Sequence, residues 1–328
     1  MFAKTFVLKE KRFNYRDETK RTTGTDLEDS PKMKKIAIVV HLFYPEHYAE
    51  LAGCLRNITE PHDLFMTIRN DQPGDLLCNT VQQDFPEARI SRPSNVGYDI
   101  WPFFSVFNEL DLASYDYIVK LHTKRDFDGH GQINYYDISG KKWRRRLLSF
   151  VSSRNAWRAS LSQIEKPNVG IVGALECILR NVNQPVDKKA VELAARILNK
   201  NMGRRCRYRY VGGTMFLVKT SCIAALQGVF SERDFEMADE MHHRESTSHQ
   251  VERLFGVCAY SENKSVIPFC RFGALRLGIH IVLSKIARLF YHRKISYDGW
   301  LTIRVLRIPI VRKMVDESLG YRPQESGG

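Results

Sequence analysis

The sequence predicts an α/β fold built on a mostly parallel, Rossmann-like sheet, and three observations carry that expectation. Ile36-Ala-Ile-Val-Val40 is a continuous apolar run, the pattern of a strand covered on both faces. Between residues 35 and 92, strand-like runs alternate three times with helical segments, as parallel sheets require. Tyr115-Asp-Tyr-Ile-Val-Lys-Leu-His-Thr-Lys-Arg-Asp126 then starts apolar and ends in a knot of polar groups. Open α/β sheets deliver site residues in this way, at the C-terminal ends of their strands.

Taken in order, residues 1–33 are polar and mixed in charge and read as an arm. Pro45 to Arg56 has a proline at a helix start and apolar residues at helical spacing. Asp63–Ile68 is a second strand, Leu76–Phe85 a short helix and Ala88–Arg92 a third strand. In Asn95-Val-Gly-Tyr-Asp-Ile-Trp-Pro-Phe-Phe104 a glycine turn opens a helix. Asp99 there either caps the helix or helps to form an anion or ribose site at its N-terminus. Phe127 to Ser139 reads as a loop. Lys141-Lys-Trp-Arg-Arg-Arg146 opens a helix whose basic face is either solvated or turned to phosphate or membrane. Val169–Gly173 is a buried strand and Asp187–Asn199 an amphipathic helix. Tyr210–Val218 reads as a strand carrying Gly212 and Gly213, a pair that marks a bulge or a close approach. Glu245–Gly256 is a helix that sets Glu245, His249 and Glu252 or Arg253 close together at spacings of three and four.

Composition narrows the function. The net charge is +13, from 50 Lys and Arg against 37 Asp and Glu, which favours anionic partners. No RNA- or DNA-binding signature accompanies it, so nucleic acid is not the expected partner. The seven cysteines are scattered without Cys-x-x-Cys spacing and read as thiols of a cytosolic protein, neither a disulfide frame nor a zinc site. No signal peptide and no membrane-spanning run is expected. From Lys264 to Lys313 the only acid is Asp298, against eleven Lys and Arg. Leu275, Ile279, Val282, Leu283, Ile286, Leu289 and Phe290 share one helical arc, opposite Arg276, His280, Ser284 and Arg288. Such a basic amphipathic helix lies on an anionic membrane surface or packs on its own domain, and the charge favours the membrane. The domains expected are an arm at 1–33, a catalytic α/β domain at 34–270 and a membrane-associating helical tail at 271–328.

Six segments in order, Val40-His-Leu-Phe-Tyr44, Asn95-Val-Gly-Tyr-Asp-Ile100, Lys120-Leu-His-Thr-Lys124, Trp143-Arg144, Gly212-Gly-Thr-Met-Phe216 and Ser248-His-Gln-Val-Glu-Arg253, resemble the rhamnan synthesis protein F family of bacterial polysaccharide glycosyltransferases. The resemblance covers roughly residues 34–270. It implies a GT-A-like fold and transfer of a sugar from a nucleotide-sugar donor to a lipid-linked O-antigen, capsule or cell-wall glycan. The place implied is the cytoplasmic face of the cell membrane, with the protein held peripherally. The donor site implied comprises His41, Tyr44, Asn95, Gly97, Asp99, His122, Lys124 and Arg125. The acceptor side comprises Gly212, Gly213, Thr214, His249 and Arg253, where the two glycines leave backbone room for the acceptor sugar, and Trp143 and Arg144 belong to the neighbouring basic helix.

GT-A enzymes often hold a divalent metal on an Asp-x-Asp pair at a strand end, and this chain has Leu121-His-Thr-Lys124 at that place. Lys124, with His122 and Arg125, is expected to neutralise the leaving diphosphate directly. A Mn²⁺ or Mg²⁺ ion on His122 and Asp126 is the alternative. The base that activates the acceptor is Glu245 first and Glu252 second. The family implies rhamnose-type donors, with UDP-galactofuranose as another choice. A non-catalytic membrane scaffold of a polysaccharide assembly is the rival function.

Overall fold

The computed structural model describes residues 35–70, 75–124, 130–133, 136–182, 184–203, 206–236, 246–269, 279, 282, 283, 286, 290–295, 300–306 and 308–314. The arm expected at 1–33 lies outside them. Among the described residues the main sheet has seven strands: β1 Ile36–Leu42, β2 His62–Ile68, β3 Arg89–Ser91, β4 Tyr117–His122, β5 Val169–Gly173, β6 Phe216–Lys219 and β7 Ser265–Pro268. Their order is β7-β5-β6-β4-β1-β2-β3. Every neighbouring pair is parallel except the two made by β6, which runs antiparallel to β4 and β5. The mostly parallel α/β architecture agrees with the GT-A-like fold that the resemblance implies.

The helices of eight or more residues among the described residues are α1 Tyr48–Leu55, α2 Asp75–Asp84, α3 Ile100–Phe107, α4 Gly140–Leu147, α5 Arg154–Ile164, α6 Pro185–Leu198 and α7 Thr247–Ser261. β1 and β4 are buried along their whole lengths, which is why their sequences do not alternate. α3 is apolar almost throughout and feeds an aromatic cluster. Phe103 stacks on Phe107 at 5.2 Å, and Phe104 lies parallel to Phe255 of α7 at 6.2 Å. Each such side chain removed from water contributes about 1.5–3 kcal/mol. The ends are capped by short polar residues. The Ser153 hydroxyl accepts the Ala156 N–H at 3.1 Å to start α5, and Gln184 with Asp187 closes a capping box on α6. Gly256 lets α7 lie tight on the strand Arg209–Val211, since a Cβ there would sit 2.8 Å from that of Tyr210.

Three stretches differ from the sequence expectation. Tyr210–Val218 is two strands: Arg209–Val211 pairs with Ile178–Arg180 outside the main sheet, and β6 begins only at Phe216. Between them Gly213 (φ 78°) and Thr214 (φ 47°) turn the chain. The expected loop at 127–139 contains a hairpin, His130–Ile133 with Tyr136–Ser139. In the tail, Ile279, Val282, Leu283, Ile286 and Phe290 are helical, but Tyr291–Ile295, Trp300–Val305 and Ile308–Met314 form a three-stranded antiparallel sheet. The reason is legible afterwards: Leu301, Ile303 and Val305 alternate with Thr302 and Arg304, a period of two.

Candidate active site

In an open α/β sheet the natural crevice lies where chain connections leave two adjacent strands in opposite directions. Here that point is between β1 and β4. His122 of β4 is the register partner of His41 of β1, which pairs in turn with Thr67 of β2, so three polar side chains sit in a row near the C-terminal ends. All three are buried. Thr67 donates its hydroxyl to the Val40 carbonyl at 3.4 Å, leaving its oxygen to accept His41 Nδ1–H at 2.9 Å. That fixes the His41 tautomer and leaves Nε2 bare. Among the described residues neither His41 Nε2 nor either nitrogen of His122 has a hydrogen-bond partner. Burial pushes His41 down to about 4 and His122 down to about 3. Both rings are therefore neutral at physiological pH, so His122 offers an N–H or a lone pair and not the positive charge expected of it.

The charge at this edge comes instead from Lys120, two residues before His122 and on the same strand face. Its side chain is 1% exposed and its ammonium bonds the Asp99 carboxylate and, at 3.0 Å, Thr214 Oγ1. Thr214 also donates its hydroxyl to Asp99, and His122 Nδ1 lies 3.5 Å from the same carboxylate oxygen. Burial alone would raise the Asp99 carboxyl. The Lys120 ammonium and the hydrogen bonds from Lys120 and Thr214 outweigh it and hold the group well below the usual carboxylate range. Burial draws the Lys120 ammonium below its ordinary value, and Asp99 opposes that. Asp99 occupies the N-cap position of α3 without capping it, because its side chain is turned to this network.

The first turns of α7 close the arrangement. Ser248 donates its hydroxyl to the Gly97 carbonyl at 3.1 Å, and the His249 ring meets Tyr98 edge-on at 6.5 Å. Glu252 accepts the Gly213 N–H at 2.7 Å and Arg253 Nη1 at 3.2 Å. Arg253 also donates to Asp187 at 3.0 Å and lies 4.8 Å over the Tyr210 ring, which ties α7 to α6. Gly97, Asp99, His122, Thr214, His249 and Glu252 are thus brought together.

The other expected residues fall around this centre. The Tyr44 N–H donates to Thr123 Oγ1 at 2.7 Å, and half-buried Lys124 follows directly. Asn95 stands in the turn before Gly97, partly buried. Buried Arg144 donates to Glu50 of α1 and approaches His47 at 3.3 Å, so the basic helix α4 is partly neutralised from α1. The room at Gly212 and Gly213 is not left for an acceptor. A Cβ on Gly212 would meet Leu179 at 2.8 Å, and one on Gly213 would meet Leu147 at 2.9 Å and Trp143 at 3.3 Å. Those glycines bring α4 and the strand Ile178–Arg180 against the turn. Glu245, Arg125 and Asp126 lie outside the described residues.

Among the described residues no group of three or more His, Cys, Asp or Glu could hold a metal ion, and Asp99 already has an ammonium bonded to it. Sequence reasoning missed Lys120 and Thr67. The signal for Lys120 was present: a lysine inside Ile118-Val-Lys-Leu121, where a fully buried strand should have none.

Residues 3–264 match the family described as rhamnan synthesis protein F. The chain belongs to that family. No curated protein matches the sequence. Among solved structures, S. aureus TarS 1-349 is similar at 10% identity and a TM-score of 0.37, covering 71% of this chain and 58% of that one. The same protein in complex with UDP gives 12% and 0.38, with 71% and 57% covered. A 4-diphosphocytidyl-2C-methyl-D-erythritol synthase gives 10% and 0.33, with 79% and 100% covered. This family member therefore spans somewhat over half of the TarS 1-349 chains.

Proposed function

We propose that the chain is a glycosyltransferase that moves a sugar from a nucleotide-sugar donor to a bacterial surface polysaccharide carried on a lipid. Family membership supports the reaction class. The observation that carries the site is an ionised Asp99, fixed by buried Lys120 and Thr214 at the crevice between β1 and β4. Asp99 is the accessible member, with a side chain 18% exposed, and its carboxylate accepts hydroxyl hydrogens from the donor's ribose or sugar. Lys120 is sealed from ligand and is a positioning residue. By cancelling the Asp99 charge it leaves a floor that does not repel a diphosphate.

In the transfer, the bond from the anomeric carbon to the diphosphate breaks and a bond to the acceptor hydroxyl forms. Lys124 meets the charge growing on the leaving diphosphate. The hydroxyl proton goes to a carboxylate of the 245–252 segment, Glu245 or Glu252. Peripheral attachment to the inner membrane face is supported by Ile279, Val282, Leu283, Ile286 and Phe290, which are helical and 43–59% exposed. No helix among the described residues is long and apolar enough to cross a membrane.

The test is release of nucleoside diphosphate by the purified full chain from a panel of nucleotide sugars, dTDP-rhamnose and UDP-galactofuranose included. Turnover of one donor is expected, and it persists in EDTA. Binding without turnover of any donor turns the reading toward a scaffold. Loss in EDTA with recovery on adding Mn²⁺ overturns the metal-free site.

A further inference from the structure

We propose that the small two-stranded sheet made by Ile178–Arg180 and Arg209–Val211 carries a second ligand site, separate from the sugar-transfer centre, that takes a phosphate or diphosphate group. The sequence Arg204-Arg-Cys-Arg-Tyr-Arg209 has four arginines in six residues. Over its described part exposure alternates: Arg207 and Arg209 are exposed, while Tyr208 and Tyr210 are buried. Arg207 and Arg209 are thus both turned to solvent, Arg207 just before the strand Arg209–Val211 and Arg209 at its start. Arg180 is the register partner of Arg209, so a third guanidinium joins them. Together with Asn181 and Tyr208 they line a groove of about 370 Å³.

Two like charges directly opposite on paired strands are destabilising. Among the described residues none of these three arginines has a carboxylate partner, in contrast to Arg144, Arg146 and Arg253. Burial and Arg180 both push the Arg209 guanidinium below its ordinary value. The two-stranded sheet nonetheless holds its shape, because its framework is hydrogen-bonded. Asn181 Nδ2 donates to the Cys206 carbonyl at 2.8 Å, the Tyr208 N–H donates to Asn181 Oδ1 at 3.2 Å, and the Tyr208 hydroxyl donates to Asp187 at 3.3 Å. A rigid face that concentrates forked donors without an acid among them matches the oxygens of a phosphate group, which guanidinium binds in bidentate fashion. The groove has room for a diphosphate and its first waters, not for a folded partner.

The same chemistry is offered by a soluble diphosphate and by an anionic lipid headgroup, and the experiment separates them. Thermal melting of the full chain is followed with sodium pyrophosphate, against sodium chloride at matched ionic strength, for wild type and Arg180→Gln/Arg209→Gln. Pyrophosphate is expected to raise the wild-type melting temperature, and the double variant is expected to bind it about tenfold or more weakly. An equal response in both proteins, or none in the wild type, overturns the site. Flotation on phosphatidylglycerol/phosphatidylcholine vesicles, with the same tail in both proteins, then names the source. Weaker flotation of the double variant, with pyrophosphate competing in the wild type, assigns the headgroup; equal flotation assigns a soluble ligand. Donor turnover without added lipid should be unchanged in the double variant, so failure here is distinct from failure of the transferase reading.

Discussion

Lys120 and Arg180 are both cations on strands, and they are handled in opposite ways. Lys120 is sealed at the end of the main sheet, where a carboxylate and a hydroxyl are bonded to its ammonium. Arg180 faces Arg209 across a small two-stranded sheet, with no carboxylate paired to either among the described residues. A charge whose partner is internal fixes the shape of a site. A charge without one stores repulsion that an external anion can relieve. The difference separates a residue that builds the protein from residues that are available to a ligand.

The comparison breaks most easily at Lys120. Lys120→Met leaves the Asp99 carboxylate without its counter-ion, and losing one partner of a buried pair costs about 3–5 kcal/mol. Urea unfolding should show that loss, and donor turnover should fall about 100-fold or more as Asp99 moves or takes up a proton. Near-normal turnover would mean that the network only supports the fold.

A smaller effect is expected with acid. The unfolded chain protonates its histidines near 6.5, whereas folded His41 and His122 resist to about 4 and about 3. Between those values the unfolded state binds more protons, so their contribution is complete above pH 6.5 and is lost as pH falls toward 4 and below. Urea midpoints measured from pH 7.5 to 4 should decline, and His41→Asn or His122→Asn should flatten the slope. A profile that does not change in either variant would show that the rings are not kept neutral by burial. The smallest effect is at the other pole. Arg180→Gln, without any added anion, should stabilise the chain by about 0.5 kcal/mol, since a directly opposed like charge is removed.

Much of the sheet was legible because buried parallel strands and amphipathic helices write different periods. Ile36–Leu42 and Asp187–Asn199 needed nothing else. The turn at Gly213 and Thr214 was not legible, because a Gly pair inside an apolar run fits a bulge as well as a chain reversal. The tail sheet was obscured by Leu275–Phe290 before it, whose helical period invited continuation. Within the site, His122, Asp99 and Thr214 could be named from local patterns. Their joining through Lys120 could not, because the hydrogen-bonded pairs stand 94 and 115 residues apart. The room at the two glycines was likewise read for a ligand when Leu179, Leu147 and Trp143 fill it, a packing relation that no local spacing reveals.

The reversed direction of β6 has a consequence during synthesis. The strands β1 to β4 leave the ribosome first, and β4 remains the outer strand of that half-sheet until β6 arrives to cover it. At ordinary translation rates the 94 residues from Lys120 to Thr214 take roughly 5–20 s. Throughout that interval the outer strand carries a lysine at its middle, and a charge there discourages pairing with another unfinished chain. The cation that later anchors Asp99 thus guards the growing edge until its own partner strand is made.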